Sequence, residues 1–221
     1  MAKELERAQL YCNVMEEIKI RIAAIDAGTA NKLSVLPPAI VREHCHLQLR
    51  LICELIALGC LIAHGDIQAP QIKKLQKQWQ ADKIMEELSK LHPEFYPVTV
   101  VQTRSPGGTI SITNAKPQPL PKDELIKMYG KCGDILHRGS AKKFLSQKGP
   151  IVVHYPDITK LAQKIVDLLS VHMIVMRGAE KIFICVLHDT HHNGLVSVAT
   201  VERPIIPIPL KGPASPLRTP V

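Results

Sequence analysis

The segment from residue 39 to residue 64 constrains the fold more than any other part of the chain. From Leu47 onward it is apolar on nearly every side of a helix, in the run LQLRLICELIALGCLIAH. A helix without a polar face has to be covered by neighbours on most sides. The sequence therefore predicts a central helix that other elements surround.

Four further segments have apolar residues spaced three and four apart, which is the pattern of amphipathic helices. The predicted helices cover residues 3–27, 70–91, 122–138 and 158–177. In the first of them the apolar face consists of Ala8, Tyr11, Met15, Ile18, Ile22 and Ile25. In the last, the face continues from Ile158 through Leu169 to His172 and Met176.

Two segments, at about 97–114 and 180–202, change to the alternating pattern of strands and contain turn residues, so each is predicted to be a β-hairpin. From Arg203 the chain reads RPIIPIPLKGPASPLRTPV, in which the prolines cannot donate ladder hydrogen bonds. The predicted fold is mainly α (α+β): a five-helix bundle over residues 1–202 with two small β-hairpin insertions. A disordered, Pro-rich tail over residues 203–221 is expected to follow.

Composition favours a folded domain with a weakly basic surface. Hydrophobic residues make up 46% of the 221 residues and the net charge is +8. The basic residues are spread along the chain, without the long basic run and interleaved aromatic residues of a dedicated nucleic-acid site. Nucleic acid is a possible partner through this mildly basic surface.

The six cysteines and the first residues indicate a cytoplasmic protein. Cys45, Cys53 and Cys60 lie in the apolar helix and no C-x-x-C occurs, which is typical of reduced core cysteines. The charged N-terminal run MAKELERAQL does not resemble a signal peptide. The run from Leu51 to Ala63 contains Glu54 and is shorter than a membrane span, so no membrane partner is expected.

A polar stripe interrupts the apolar second helix. Arg50, Glu54 and His64 fall on one side of a helical wheel, and Arg50 and Glu54 are four residues apart. One interpretation is a structural ion pair that fixes the helix register. The other is the wall of a polar pocket.

The fourth predicted helix contains Gly130 and Gly133 beside His137. A helix-interior glycine costs about 1 kcal/mol relative to alanine, so the two glycines suggest that another group comes close. Tight helix packing with His137 as a helix-terminal residue is one explanation, and a functional histidine is the other.

The run Asp134-Ile-Leu-His-Arg-Gly at the end of this helix resembles the HEPN superfamily, helical domains of bacterial toxin–antitoxin and phage-defence systems. The resemblance implies a metal-independent ribonuclease with Arg, four to six residues, then His. His137 matches the histidine, whereas Lys131 stands in place of the arginine, so the motif is degenerate here. The resemblance implies that His137 is a general base, that Lys131 or Arg138 holds phosphate, and that the site forms across a dimer.

The turn of the second predicted hairpin contains a cluster of possible metal ligands. His188, Asp189, His191 and His192 lie within five residues and could hold zinc or nickel. A solvent-exposed turn is the alternative interpretation.

Three functions are compatible with the sequence. A non-catalytic helical interaction or self-association module of bacterial or phage type, binding a protein partner or a second copy as a dimer, is favoured because no catalytic set is complete and no cofactor motif occurs. A HEPN-like ribonuclease or RNA-binding toxin is the second. A metal or small-molecule sensor that uses Arg50, Glu54 and His64 or the histidine turn is the third.

Overall fold

Three of the five described helices lie close to their predicted bounds, and the other two differ from them. The structure is a computed structural model that describes residues 2–65, 75, 77–105, 110–137, 154–176 and 180–202. Within these residues the α-helices are α1 (Ala2–Thr29), α2 (Pro38–Ala63), α3 (Ala81–Leu91), α4 (Lys122–Leu136) and α5 (Tyr155–Leu169). The predicted tail, residues 203–221, lies outside the described residues.

The prediction of a central α2 is confirmed, since this helix contacts each of the other four. Its residues Cys45, Leu49, Ile52 and Cys53 are fully buried. Its most extensive contact is with α1, whose predicted face is buried except for the partly buried Ile22. The crossing is close at Gly59, where an added Cβ would lie 3.2 Å from the Tyr11 ring and 3.3 Å from the Met15 methyl group.

The prediction of two separate hairpins is wrong, because both belong to one antiparallel sheet of five strands. The strands are β1 (Val98–Arg104), β2 (Ile110–Asn114), β3 (Val171–Val175), β4 (Lys181–Asp189) and β5 (Leu195–Glu202), in the order β2-β1-β3-β4-β5. The strand that sequence analysis missed, β3, pairs with β1 on one side and β4 on the other. The fold is therefore α+β, and not a five-helix bundle with hairpin insertions.

The missed strand lies inside the predicted helix 158–177, which ends eight residues early, at Leu169. His172 and Met176 lie at helical spacing from Leu169 in the sequence, and this coincidence extended the predicted helix over the run Val171-His-Met-Ile-Val. The β-branched residues of this run favour a strand once it has partners on both sides. The predicted helix 70–91 is interrupted among the described residues: Leu75 is helical, residues 77–80 are not, and α3 begins at Ala81, whereas residues 66–74 and 76 lie outside the described residues.

The helices cover one face of the sheet, which we call the inner face. One of the contacts between a helix and this face is polar and buried. The Tyr11 hydroxyl of α1 donates to His172 Nε2 at 2.7 Å, and His172 Nδ1 donates to the Leu169 carbonyl at 2.9 Å. Both side chains are buried, and burial lowers the pKa of His172 to about 4. The imidazole is therefore neutral, with both of its ring nitrogens hydrogen-bonded.

By length and composition alone, α2 also has the properties of a membrane-crossing helix, with a mean hydropathy of 1.7 over its most apolar window. Core helices of globular proteins have the same properties, and 56% of that window is buried inside the protein. The contacts of α2 with four helices favour the core interpretation.

Candidate functional site

The predicted pair of Arg50 and Glu54 forms a cluster with Tyr129 of α4. Arg50 Nη2 donates to the Tyr129 hydroxyl at 2.6 Å, and this hydroxyl donates to Glu54 Oε1 at 3.1 Å. Arg50 Nε lies 3.5 Å from the same carboxylate oxygen. The phenol therefore bridges the two charged groups and connects α2 to α4.

The cluster is partly buried and its groups satisfy one another. The guanidinium carbon of Arg50 lies 4.0 Å from the centre of the Tyr129 ring, which is a cation–π distance. Burial, reinforced by the Glu54 charge, raises the pKa of Tyr129 to about 12, so the phenol stays protonated at neutral pH. This arrangement favours the structural interpretation of the pair, because the phenol is no base and the guanidinium is already engaged.

The two glycines of α4 have different surroundings. A Cβ on Gly133 would lie 2.7 Å from Arg50 Nη1, whereas a Cβ on Gly130 would have no atom of the described residues within 4 Å. Because Gly133 has no side chain, it leaves space for the Arg50 guanidinium, which agrees with the close approach that the sequence predicted for a helix-interior glycine. Gly130 is exposed, and among the described residues no group makes the expected close approach at this position.

We expect Gly130→Ala and Gly133→Ala to change stability in opposite directions. Gly130→Ala should raise the free energy of unfolding by about 0.5–1 kcal/mol, because alanine is the better helix former and its methyl group meets nothing. Gly133→Ala has the same helical gain but displaces Arg50 from Tyr129, so it should lower the free energy of unfolding. Urea unfolding of the two variants measures both effects, and equal stabilisation by both would contradict the geometry of the cluster.

His64 does not join this cluster. It follows Glu54 by ten residues, about 15 Å along a helix axis, and lies just after the last residue of α2. Its Nδ1 is 2.8 Å from the Cys60 carbonyl oxygen, and its ring lies 4.9 Å from that of His92. Burial and the neighbouring His92 lower the pKa of His64, which favours a neutral core histidine.

The residues implied by the HEPN resemblance lie at the end of α4. His137 directly follows the last helical residue, and its backbone N–H donates to the Gly133 carbonyl at 2.9 Å. Its side chain and that of Lys131 are exposed, and Arg138 lies outside the described residues. Six helical positions turn the chain through about 240°, so Lys131 and His137 of one chain do not share a helix face. The ribonuclease hypothesis stays a prediction.

The histidine turn forms its own local hydrogen bonds. The Asp189 carboxylate accepts from the His191 backbone N–H at 2.9 Å and pairs with His192 Nδ1 at 2.8 Å. Hydrogen bonds from Ser197 and His192 lower the pKa of Asp189 to about 2. In the part of the chain that the structure describes, no group of three or more His, Cys, Asp or Glu side chains is arranged to hold a metal ion.

An exposed stripe along α2 was not recognised in the sequence, because this helix is apolar on nearly all sides. We call it the seam, and its residues alternate in spacings of four and three: Ile40, His44, Leu47, Leu51, Glu54 and Leu58. Ile40, Leu47 and Leu58 are 44%, 41% and 40% exposed, although twelve other residues of α2 are buried. This spacing is the heptad pattern by which helices pair.

A groove of about 280 Å³ lies beside the C-terminal half of the seam. Its apolar lining includes Leu51, Leu55, Leu58 and Trp79, and its polar lining includes Glu17 and Arg21 of α1. Trp79 is 64% exposed, which is unusual for the only tryptophan of a chain with few aromatic residues. Exposed aromatic and aliphatic side chains around a groove are typical of an interaction surface.

Comparison with models of protein families gives no match, and neither a curated protein nor a solved structure matches the chain. The geometry of the described residues is therefore the basis for the function proposed below.

Proposed function

We propose that the protein is a non-catalytic self-association module in which two copies pair through the seam. The observation that supports this function is the heptad stripe on α2, in which Ile40, Leu47 and Leu58 are exposed and the other three residues are partly buried, on a helix that has twelve buried residues. A stripe of this kind exposes aliphatic surface to water unless a second helix covers it.

The residues of the seam are arranged for pairing with an identical, antiparallel seam. They are symmetric about Leu49, so Ile40 faces Leu58 of the second copy, and Leu47 faces Leu51 of the second copy. The two polar members, His44 and Glu54, then face each other across the interface. A two-fold interface needs this reciprocity, since residue i contacts residue j and j contacts i.

The groove supplies the depth that a stable interface requires. In the antiparallel arrangement the N-terminal half of one seam lies against the groove of the other copy. Ile40 of the second copy then enters between Leu55, Leu58 and Trp79. Arg21, which bonds both Glu17 and Gln48, lies at the edge of the groove and gives the interface a polar rim.

The test measures the self-association of two variants, Leu47→Glu and Ile20→Glu, by sedimentation velocity. Leu47→Glu places two carboxylates near the centre of the proposed dimer. We expect the dissociation constant of the dimer to rise at least ~100-fold, so that this variant is a monomer at micromolar concentration. Ile20→Glu is the matched control, because Ile20 is 70% exposed on α1, outside the seam. This control should remain a dimer.

A monomeric wild-type chain at high micromolar concentration would contradict the proposal. Equal dissociation by both glutamate variants would also contradict it, because the interface would then not be located at the seam. Circular dichroism of each variant checks that the helices are retained.

A further inference from the structure

The face of the sheet that points away from α1 and α5 is apolar, although antiparallel sheets usually expose polar residues on such a face. We call it the outer face. On the two central strands β3 and β4 its residues are Val171, Met173, Val175, Ile182, Ile184 and Val186. The strand register places Val98, Met173, Ile184 and Ala199 side by side, so the apolar surface continues across four strands.

The outer face is distinct from the main hydrophobic core. The inner-face residues Ile174, Phe183 and Cys185 belong to that core with the helices, whereas Val175 and Ile182 do not. Val175 and Ile182 are nevertheless only 3% and 8% exposed. The other outer-face residues of β3 and β4, Val171, Met173, Ile184 and Val186, are only partly buried, so this face presents apolar surface for a further segment to cover.

The chain itself has a suitable segment that begins at the edge of this face. Strand β5 is an edge strand and ends at Glu202, next to Val201, which pairs with Ile182 in the register. The following residues, 203–210, read RPIIPIPL and contain one charged residue. Eight residues of polyproline II extend about 25 Å, and the five strands span about 19 Å, so this length is sufficient to cross the sheet.

We propose that residues 203–210 bind across the outer face of the same chain and cover its apolar surface. Prolines suit this role, because an extended segment that lies across the strands makes no ladder hydrogen bonds and needs few backbone donors. The isoleucines and the leucine of the segment supply the aliphatic contact. The proposal is an alternative, for residues 203–210, to the predicted disorder of the tail, which lies outside the described residues, and it does not depend on the seam.

Met173 is a native probe for this contact. It is half-buried at the centre of the outer face, whereas Met15, Met85, Met128 and Met176 are buried elsewhere among the described residues. Oxidation by dilute hydrogen peroxide, measured residue by residue by peptide mass spectrometry, reports the access of solvent to each thioether.

A chain truncated after Glu202 should show several-fold faster oxidation of Met173 with little change at the buried methionines, and a lower melting temperature. A chain truncated after Leu210 is the matched control and should behave as the full chain does. A synthetic peptide of residues 203–210, added to the shorter chain, should restore the protection of Met173. If the shorter chain does not fold, Ile206→Asp with Ile208→Asp in the full chain provides the same test.

Unchanged oxidation of Met173 and an unchanged melting temperature after truncation at Glu202 would overturn the proposal. Protection of Met173 that depends on protein concentration and not on the tail would also overturn it, because a second copy would then cover the outer face.

Discussion

The free energy of unfolding is expected to fall by a few kcal/mol as the pH is lowered from about 7 to about 4, because His172 is buried in its neutral form. Burial lowers the pKa of His172 to about 4, against 6.5 for an ordinary histidine. Protonation would also remove the acceptor that Nε2 presents to the Tyr11 hydroxyl. Thr99 and Cys185 of the neighbouring strands lie opposite His172 in the register. Neither carries a charge that could compensate that of a protonated imidazole.

The direction of the effect follows from proton binding in the two states. Above pH 6.5 the residue is neutral in the folded and in the unfolded chain, and its contribution to stability is complete. Between pH 6.5 and pH 4 the unfolded chain binds a proton that the folded chain does not, so stability is lost as the pH falls. Burial also lowers the pKa values of His46 and His64, and both add to the loss.

Urea unfolding at a series of pH values measures this dependence. The comparison is with the double variant Tyr11→Phe/His172→Leu, which removes both partners of the Tyr11–His172 hydrogen bond and takes a donor only from the Leu169 carbonyl. The double variant should show a flatter dependence of stability on pH between 6.5 and 4. A profile parallel to that of the wild-type chain would show that His172 takes up its proton without loss of the fold.

His172 also shows where sequence reasoning fails for the fold. Helices α1 and α4 were predicted well because their apolar spacing is unambiguous over many residues, and α2 was predicted well because its apolar run is long. At Val171–Val175 a short apolar run continued the spacing of the preceding helix by coincidence. Only its pairing with β1 and β4, which are distant in sequence, makes it a strand.

The candidate surfaces were predictable in part. The spacing of Arg50 and Glu54 was sufficient to predict their pair, whereas no sequence pattern pointed to Tyr129 as the group that bridges them. The phenol is the link between the two helices, and that contact depends on a crossing that one sequence does not specify. The seam was hidden for a related reason: in a helix that is apolar all round, only the positions of the neighbours decide which side remains exposed.

The Tyr129 hydroxyl should therefore contribute measurably to stability, and Tyr129→Phe is expected to lower the free energy of unfolding by about 1–2 kcal/mol. The phenylalanine ring keeps the stacking against Arg50 but leaves the guanidinium and Glu54 without the group that bridges them. Because the Arg50 and Glu54 side chains are 18% and 22% exposed, water compensates part of the loss. The Tyr129→Phe variant and its reference are both measured in a chain that carries Leu47→Glu, so that self-association does not contribute to the free energy of unfolding.

A double-mutant cycle distinguishes the bridge from a general effect of losing a hydroxyl. Tyr129→Phe and Glu54→Gln should be coupled by about 1 kcal/mol, since both change one hydrogen bond. Tyr96→Phe is the matched control, because the Tyr96 hydroxyl donates to the Leu120 carbonyl and not to Glu54. Its effect should be additive with Glu54→Gln to within about 0.5 kcal/mol. If Tyr129 and Glu54 were also additive, the phenol would be a packing residue, and the link between α2 and α4 would depend on apolar contacts alone.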